Sequence, residues 1–167
     1  MFSEADDYID RLRILLRDTF GAQFKAYFEG NPDIPDPRYL PCVCVYELNE
    51  RPDTDATETD QNIHNVMVRV ILDKRDDDGA NLADPEVNMT ERRLRKMVGG
   101  RDPVTGLRAE NTFLFALRTN LTLGDYVLGN QPYVEYGSVL NQEMKPITTE
   151  AHITLTLTER IIIENRR

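Results

Sequence analysis

Ala151-His152-Ile153-Thr154-Leu155-Thr156-Leu157-Thr158-Glu159-Arg160-Ile161-Ile162-Ile163 is the stretch that decides how this 167-residue chain folds. Ile153, Leu155 and Leu157 fall on one side of an extended backbone, and His152, Thr154, Thr156 and Thr158 on the other. Such a strict period of two predicts a strand with one face on a core and the other on water or a partner. β-branched Thr and Ile suit a pleated surface, so propensity agrees with pattern. Ile161 and Ile163 extend the apolar face, while Ile162 breaks the alternation. From Ile147 to Ile163 the segment is far longer than the usual ~5–6 residues. The expectation is a final strand that closes the sheet and runs past it, its overhang meeting a neighbour.

Working outward, Val134 to Leu140 predicts a second strand with Val134, Tyr136, Ser138 and Leu140 on one face. A passage rich in turn residues (Gly124, Gly129, Asn130, Pro132) separates it from a helix at Asn111–Leu121, which presents Phe113, Leu114, Leu117 and Leu121. Leu40–Leu48 and Ile63–Leu72 alternate as two strands of a long hairpin; Val66, Val68, Val70 and Leu72 share a face. Phe24, Tyr27 and Phe28 mark a short turn or strand, and the prolines at 32, 35 and 37 force an extended surface connection. At the start, Ser3–Arg17 predicts an amphipathic helix with Ala5, Ile9, Leu12, Leu15, Leu16 and Phe20 on its apolar side. Ser3 with Asp6 imitates a capping box, and Gly21 ends the helix. Asn88-Met89-Thr90-Glu91 starts a further short helix with Leu94, Met97 and Val98 inward, stopped at Gly99-Gly100. The expected fold is therefore α+β. A mainly antiparallel sheet with a long hairpin packs against the N-terminal helix and one or two further helices.

Length predicts a single domain over residues 1–167, large enough to bury a core without staples. Hydrophobic residues make up 40% and charged residues 29%, an ordinary globular balance. The net charge of −9 argues against a nucleic-acid binder, which must gather Lys and Arg against phosphates. No apolar run approaches the ~20 residues that span a bilayer, and the acidic start Ser3-Glu4-Ala5-Asp6-Asp7 fits neither a signal nor a transit peptide. Synthesis in the cytoplasm and no membrane partner are expected.

Chemistry is sought in several patterns. Cys42 and Cys44 share one face of a strand; with only His64 and His152 to join them, they fall short of a zinc set and read as small buried hydrophobes. Asp76, Asp77 and Asp78 before Gly79 imitate a calcium loop, but its first position would be Lys74 and its twelfth Pro85, neither a carboxylate. Nucleophile elbow, zincin, phosphate-loop and dinucleotide patterns are absent from the sequence. His64 and His152 read as exposed or interface residues. No enzyme, metal or cofactor is expected.

Two kinds of surface remain. Glu50, Asp53, Asp55, Glu58 and Asp60 crowd the segment 49–61, and Asp76, Asp77 and Asp78 the segment 73–87. Both predict mobile acidic loops facing a lumen or a partner. Arg92, Arg93, Arg95 and Lys96 form the one basic patch, expected to face an acidic one within the fold or on a neighbouring copy. The candidate subunit interface comprises Thr154, Thr156, Thr158, Arg160, Ile161, Ile162 and Ile163, together with Arg92, Arg93 and Arg95.

The helix at Ser3–Arg17, the hairpin at Leu40–Leu72, the helix at Asn111–Leu121 and the strand at Ile147–Ile163 together give a plan that resembles the tail terminator proteins of long-tailed bacteriophages. The resemblance implies a homo-oligomeric ring, a hexamer, in the neck of the virion. It implies a tail tube protein and a head–tail connector or stopper as partners, with DNA passing through unbound. Alternatives are another neck component (a stopper or adaptor) and a non-viral small-molecule-binding α+β domain.

Overall fold

The order of elements is α1 (Tyr8–Phe20), β1 (Ala26–Glu29), β2 (Cys42–Pro52), β3 (Gln61–Asp73), α2 (Met89–Gly99), α3 (Phe113–Thr119), β4 (Leu128–Gly129), β5 (Tyr133–Leu140) and β6 (Pro146–Arg160). The computed structural model describes residues 5, 7–32, 36–52, 61–74, 89–124, 127–129, 131–140 and 146–160.

β6 lies inside the sheet. From Thr148 to Arg160 it pairs antiparallel with β3, Gln61↔Arg160 to Asp73↔Thr148. Its other flank is taken by β5, from Tyr133↔Thr154 to Leu140↔Pro146, and then by β4 at Leu128↔Thr158 and Gly129↔Leu157. The strand expected to close the sheet is thus interior, in the order β1-β2-β3-β6 with β4 and β5 beyond. Side-chain alternation reports a strand's two faces and is silent about its two edges, because every residue offers the same N–H and C=O to either side. The expected faces hold: Ala151, Ile153, Leu155 and Leu157 are buried, and Thr154, Thr156 and Thr158 half-buried.

The fold is α+β, as expected, with a mixed sheet. β1 runs parallel to β2, Ala26↔Cys42 to Glu29↔Val45, whereas the other pairs are antiparallel. A parallel pair needs a crossover rather than a tight turn, and the proline-bearing segment between Gly30 and Pro41 spans that distance. The hairpin strands run further toward their tip than predicted, to Pro52 and from Gln61. Asn49 and Glu50 therefore belong to a strand, beyond a bulge between Glu47 and Asn49.

The main core lies between one sheet face and the three helices. Val43 and Val45, Val66, Val68, Val70 and Leu72, and the apolar side of β6 face Leu12, Leu15 and Leu16 of α1, Leu94 and Val98 of α2, and Phe113, Ala116 and Leu117 of α3. Phe113 stacks on Phe20 with ring centroids 4.1 Å apart, tying α3 to the end of α1. Burying each Leu-sized side chain is worth about 1.5–3 kcal/mol, so this face holds the helices in place. A smaller cluster of Leu40, Cys42, Cys44 and Ile71 packs on the opposite face with Phe28 and Tyr46.

α1 starts at Tyr8, where Asp7 caps it by accepting from the Asp10 amide at 2.8 Å; residues 1–4 and 6 lie outside the described ones. It extends to Phe20 rather than stopping at Arg17, because Phe20 joins the core, and Gly21 ends it with φ +48°. α3 is shorter than predicted, capped by Thr112 accepting from the Phe115 amide.

Candidate functional site

Three polar constellations are built into the described residues. The first sits on the face of the sheet away from the helices. Arg69 of β3 and Glu150 of β6 face each other across the strands, both buried, with Arg69 Nε and an Nη donating to the two carboxylate oxygens at 2.6 and 2.8 Å. The other guanidinium nitrogen donates to the Asn31 side chain and the Pro32 carbonyl, so the crossover segment is pinned to the sheet. His152 and Thr148 complete the set at 2.9 and 3.1 Å from the Glu150 oxygens. Burial alone would raise the Glu150 carboxyl; the bonds from His152, Arg69 and Thr148 and the charge of Arg69 outweigh it and hold it at about 2. With both carboxylate oxygens and all three guanidinium nitrogens bonded, the pair clamps β3, β6 and the crossover segment together.

The second constellation surrounds His64, buried at 3% exposure where a surface or interface histidine was predicted. Glu47 of β2 reaches Nδ1 at 2.8 Å, Glu159 of β6 reaches Nε2 at 3.2 Å, and the Tyr8 hydroxyl lies 3.0 Å from Nδ1. The bulge after Glu47 brings Glu50 alongside as well, so that Glu47, Glu50 and His64 offer ligand atoms within 4.8 Å of one another. Three such donors fall one short of a closed structural zinc site. Glu47 already bonds His64, and Glu50 accepts from Asn62 at 2.6 Å. Burial first, then Glu47, pushes the Tyr8 phenol well above its usual value. The sequence hid this cluster because Glu47, His64 and Glu159 lie 17 and 95 residues apart in the chain.

The third is a cavity of about 260 Å3 between α2 and the β5–β6 end of the sheet, lined by Glu91, Leu94, Arg95, Tyr136, Gly137, Ser138 and Thr149. Glu91, Leu94 and Arg95 share one side of α2 through the i, i+3, i+4 spacing. Tyr136 and Ser138 stand on the helix-facing side of β5, opposite Ala151 and Thr149. Thr149 is 2% exposed and its hydroxyl has no hydrogen-bond partner. Burial raises the Tyr136 phenol, with Arg95 and Arg108 opposing the rise. Burial and the neighbouring cations Arg118 and Arg101 lower the Arg108 guanidinium, so positive charge is concentrated beside the cavity. One signal was legible: Thr149 occupies the apolar register of β6, two residues before Ala151, where a hydroxyl is out of pattern.

Cys42 and Cys44 are free and fully buried side by side. The contact with Cys44, and burial, push the Cys42 thiol far above its ordinary value.

Of the predicted interface residues, Arg92, Arg93 and Arg95 are exposed on α2, on the opposite surface from Thr154, Thr156 and Thr158. Thr156 donates to the Asn65 side chain at 3.0 Å. Arg160 is paired through its backbone to Gln61, while Ile161, Ile162 and Ile163 lie outside the described residues. Among the acidic candidates only Glu50 is described, exposed at the end of β2; Asp53, Asp55, Glu58, Asp60, Asp76, Asp77 and Asp78 lie outside. No helix among the described residues is long and apolar enough to cross a membrane. Compared with the models of known protein families and with curated proteins, the chain matches none.

Proposed function

We propose that this chain is a structural ring-forming protein of the tail terminator type, a homohexamer that caps a phage tail tube at its head-proximal end and joins it to the head connector. Its place is the virion neck. Its partners are the tube protein and the connector, and DNA passes without specific contact. The role is one of assembly rather than catalysis.

The observation that carries this reading is the edge of β5. Among the described residues β5 pairs only with β6, which leaves an eight-residue strand with a free row of backbone donors and acceptors. Tyr133 and Tyr136 stand exposed on its two faces, at 63% and 50%. An open edge with flanking aromatics accepts a strand from another chain. Charge gives the contact a direction. Arg92, Arg93, Arg95, Lys96, Arg101, Arg108 and Arg118 gather near the start of β6, whereas Glu47, Glu50 and Glu159 gather near its end. Opposite charges at opposite ends suit a head-to-tail contact, which closes into a ring when the rotation fits.

The test is electron microscopy of purified tail tubes mixed with the protein. The expected result is a ring on one end of each tube, lost when Tyr133→Lys charges the free edge while the variant's melting temperature stays unchanged. Tubes left bare by the wild-type protein at every concentration would overturn the terminator reading. A monomer in the absence of tubes would not, since the tube end can act as the template.

A further inference from the structure

We propose that the cavity beneath α2 is a binding site for the carboxylate of a small organic acid. The argument begins with Thr149. A hydroxyl buried to 2% exposure without a partner destabilises the fold. Valine has nearly the same shape and would carry no such cost. Thr149 lines the cavity, and Ser138, opposite it on β5, lines the same space. Each supplies an O–H donor, and Arg95 at the helix side supplies a planar fork of N–H donors. Arg95 makes no ion pair with a described carboxylate, and it stands near Tyr136 in a neighbourhood already crowded by Arg101, Arg108 and Arg118.

A ligand that only accepts hydrogen bonds and carries one negative charge matches this set. A carboxylate does so, and it suits the guanidinium fork in a bidentate arrangement. The acidic residue in the lining, Glu91, is 3.5 Å from the Lys74 ammonium, which offsets its charge. A phosphate, with about −1.5 to −2 charges at neutral pH, would exceed what one lining guanidinium neutralises and would meet Glu91 besides. Leu94 and the ring of Tyr136 add apolar wall for a short carbon chain. At about 260 Å3 the space is smaller than a drug-sized site, which points to an acid of the size of glutarate. This site is open in a single chain, so it stands or falls apart from ring assembly.

The experiment titrates the 15N-labelled full chain with glutarate, with its neutral isostere glutaramide, and with inorganic phosphate. The amide resonances of Gly137, Ser138, Thr149 and Arg95 are followed. Glutarate should shift them saturably, glutaramide should not, and phosphate should act more weakly. Arg95→Gln and Thr149→Val should each weaken glutarate at least about tenfold, the scale of one lost charge-assisted bond. Arg93→Gln, on the same helix but outside the cavity, should leave it unchanged. The proposal is overturned if these amides do not saturate, if glutaramide shifts them equally, or if Arg95→Gln and Arg93→Gln behave alike. Phosphate binding as tightly as glutarate would overturn the carboxylate assignment. Shifts on concentrating the protein alone would assign the site to an acidic side chain of a second copy instead of a small acid.

Discussion

Glu150 carries the clearest pH dependence at the scale of a single residue. Its carboxyl is held at about 2 in the fold against an ordinary 4.5, with burial opposing and the bonds from His152, Arg69 and Thr148 prevailing. A depressed carboxyl contributes stability that is fully present above its unfolded value and is lost as pH falls through the folded one. The unfolding free energy from urea titrations should therefore drop between about pH 4.5 and about pH 2, by roughly 3 kcal/mol for this group. In Glu150→Gln that acid-side slope should be absent. The same variant should lose about 3–5 kcal/mol at neutral pH, because the buried Arg69 is left without its counter-charge. A variant as stable as the wild type would show that the clamp is dispensable. Thr149→Val should do the opposite and raise stability by about 1 kcal/mol, since it removes an unpartnered buried hydroxyl. The thermal midpoint reads the sign directly.

Among the elements, β6 and α3 owe their stability to different sources. β6 is fixed by ladders on both sides and by a buried apolar face. Leu155→Ala should cost about 2–5 kcal/mol, measured by denaturant unfolding. Truncation after Glu159 removes only the Arg160↔Gln61 pair from the described ladder, so the shortened chain should keep the wild-type melting profile. On the proposed function it should also lose ring formation on tubes, through the interface assigned to Arg160 and the isoleucines beyond it. A shortened chain that fails to fold, or one that still caps tubes, removes that role from the C-terminal residues. α3 has only seven residues and depends on its cap. Thr112 accepts from the Phe115 amide and donates to the Ala109 carbonyl, and it is fully buried. Thr112→Ala should cost about 1–2 kcal/mol, and urea melts with the fluorescence of a nearby aromatic probe would register it. An unchanged midpoint would mean that Phe113 packing alone fixes the helix.

For the whole molecule, the arrangement of charge matters more than its total. A net charge of −9 leaves room for a concentrated basic group around α2, with the acidic ends of β2 and β6 at the far end of the sheet. From Thr149 to Thr158 that distance is about 30 Å at the rise of an extended strand. Ring formation through such ends should weaken as salt rises, because exposed charges are screened within about 8–10 Å at physiological ionic strength. Cross-linking yields on tubes across a salt series would measure this. A salt-independent yield would leave the β5 edge as the sole driver.

The alternation of β6 and the helical spacing of α1 were legible residue by residue, and so were the faces of the hairpin and the inward side of α2. Each is a local periodicity that selects one secondary structure and one buried side. The identity of β6's neighbours was not legible, because backbone hydrogen bonding carries no residue signature and the sheet order is set by which surfaces pack. The parallel placement of β1 required the crossover to lie beneath Arg69. The joining of His64 to Glu47 and Glu159 required a bulge in one strand and register in another. The cavity existed only once Thr149, Ser138 and Arg95, each unremarkable in its own segment, were brought around one space. Sequence fixes what each segment will bury, whereas only packing decides which polar groups meet, since those contacts join residues that share no local pattern.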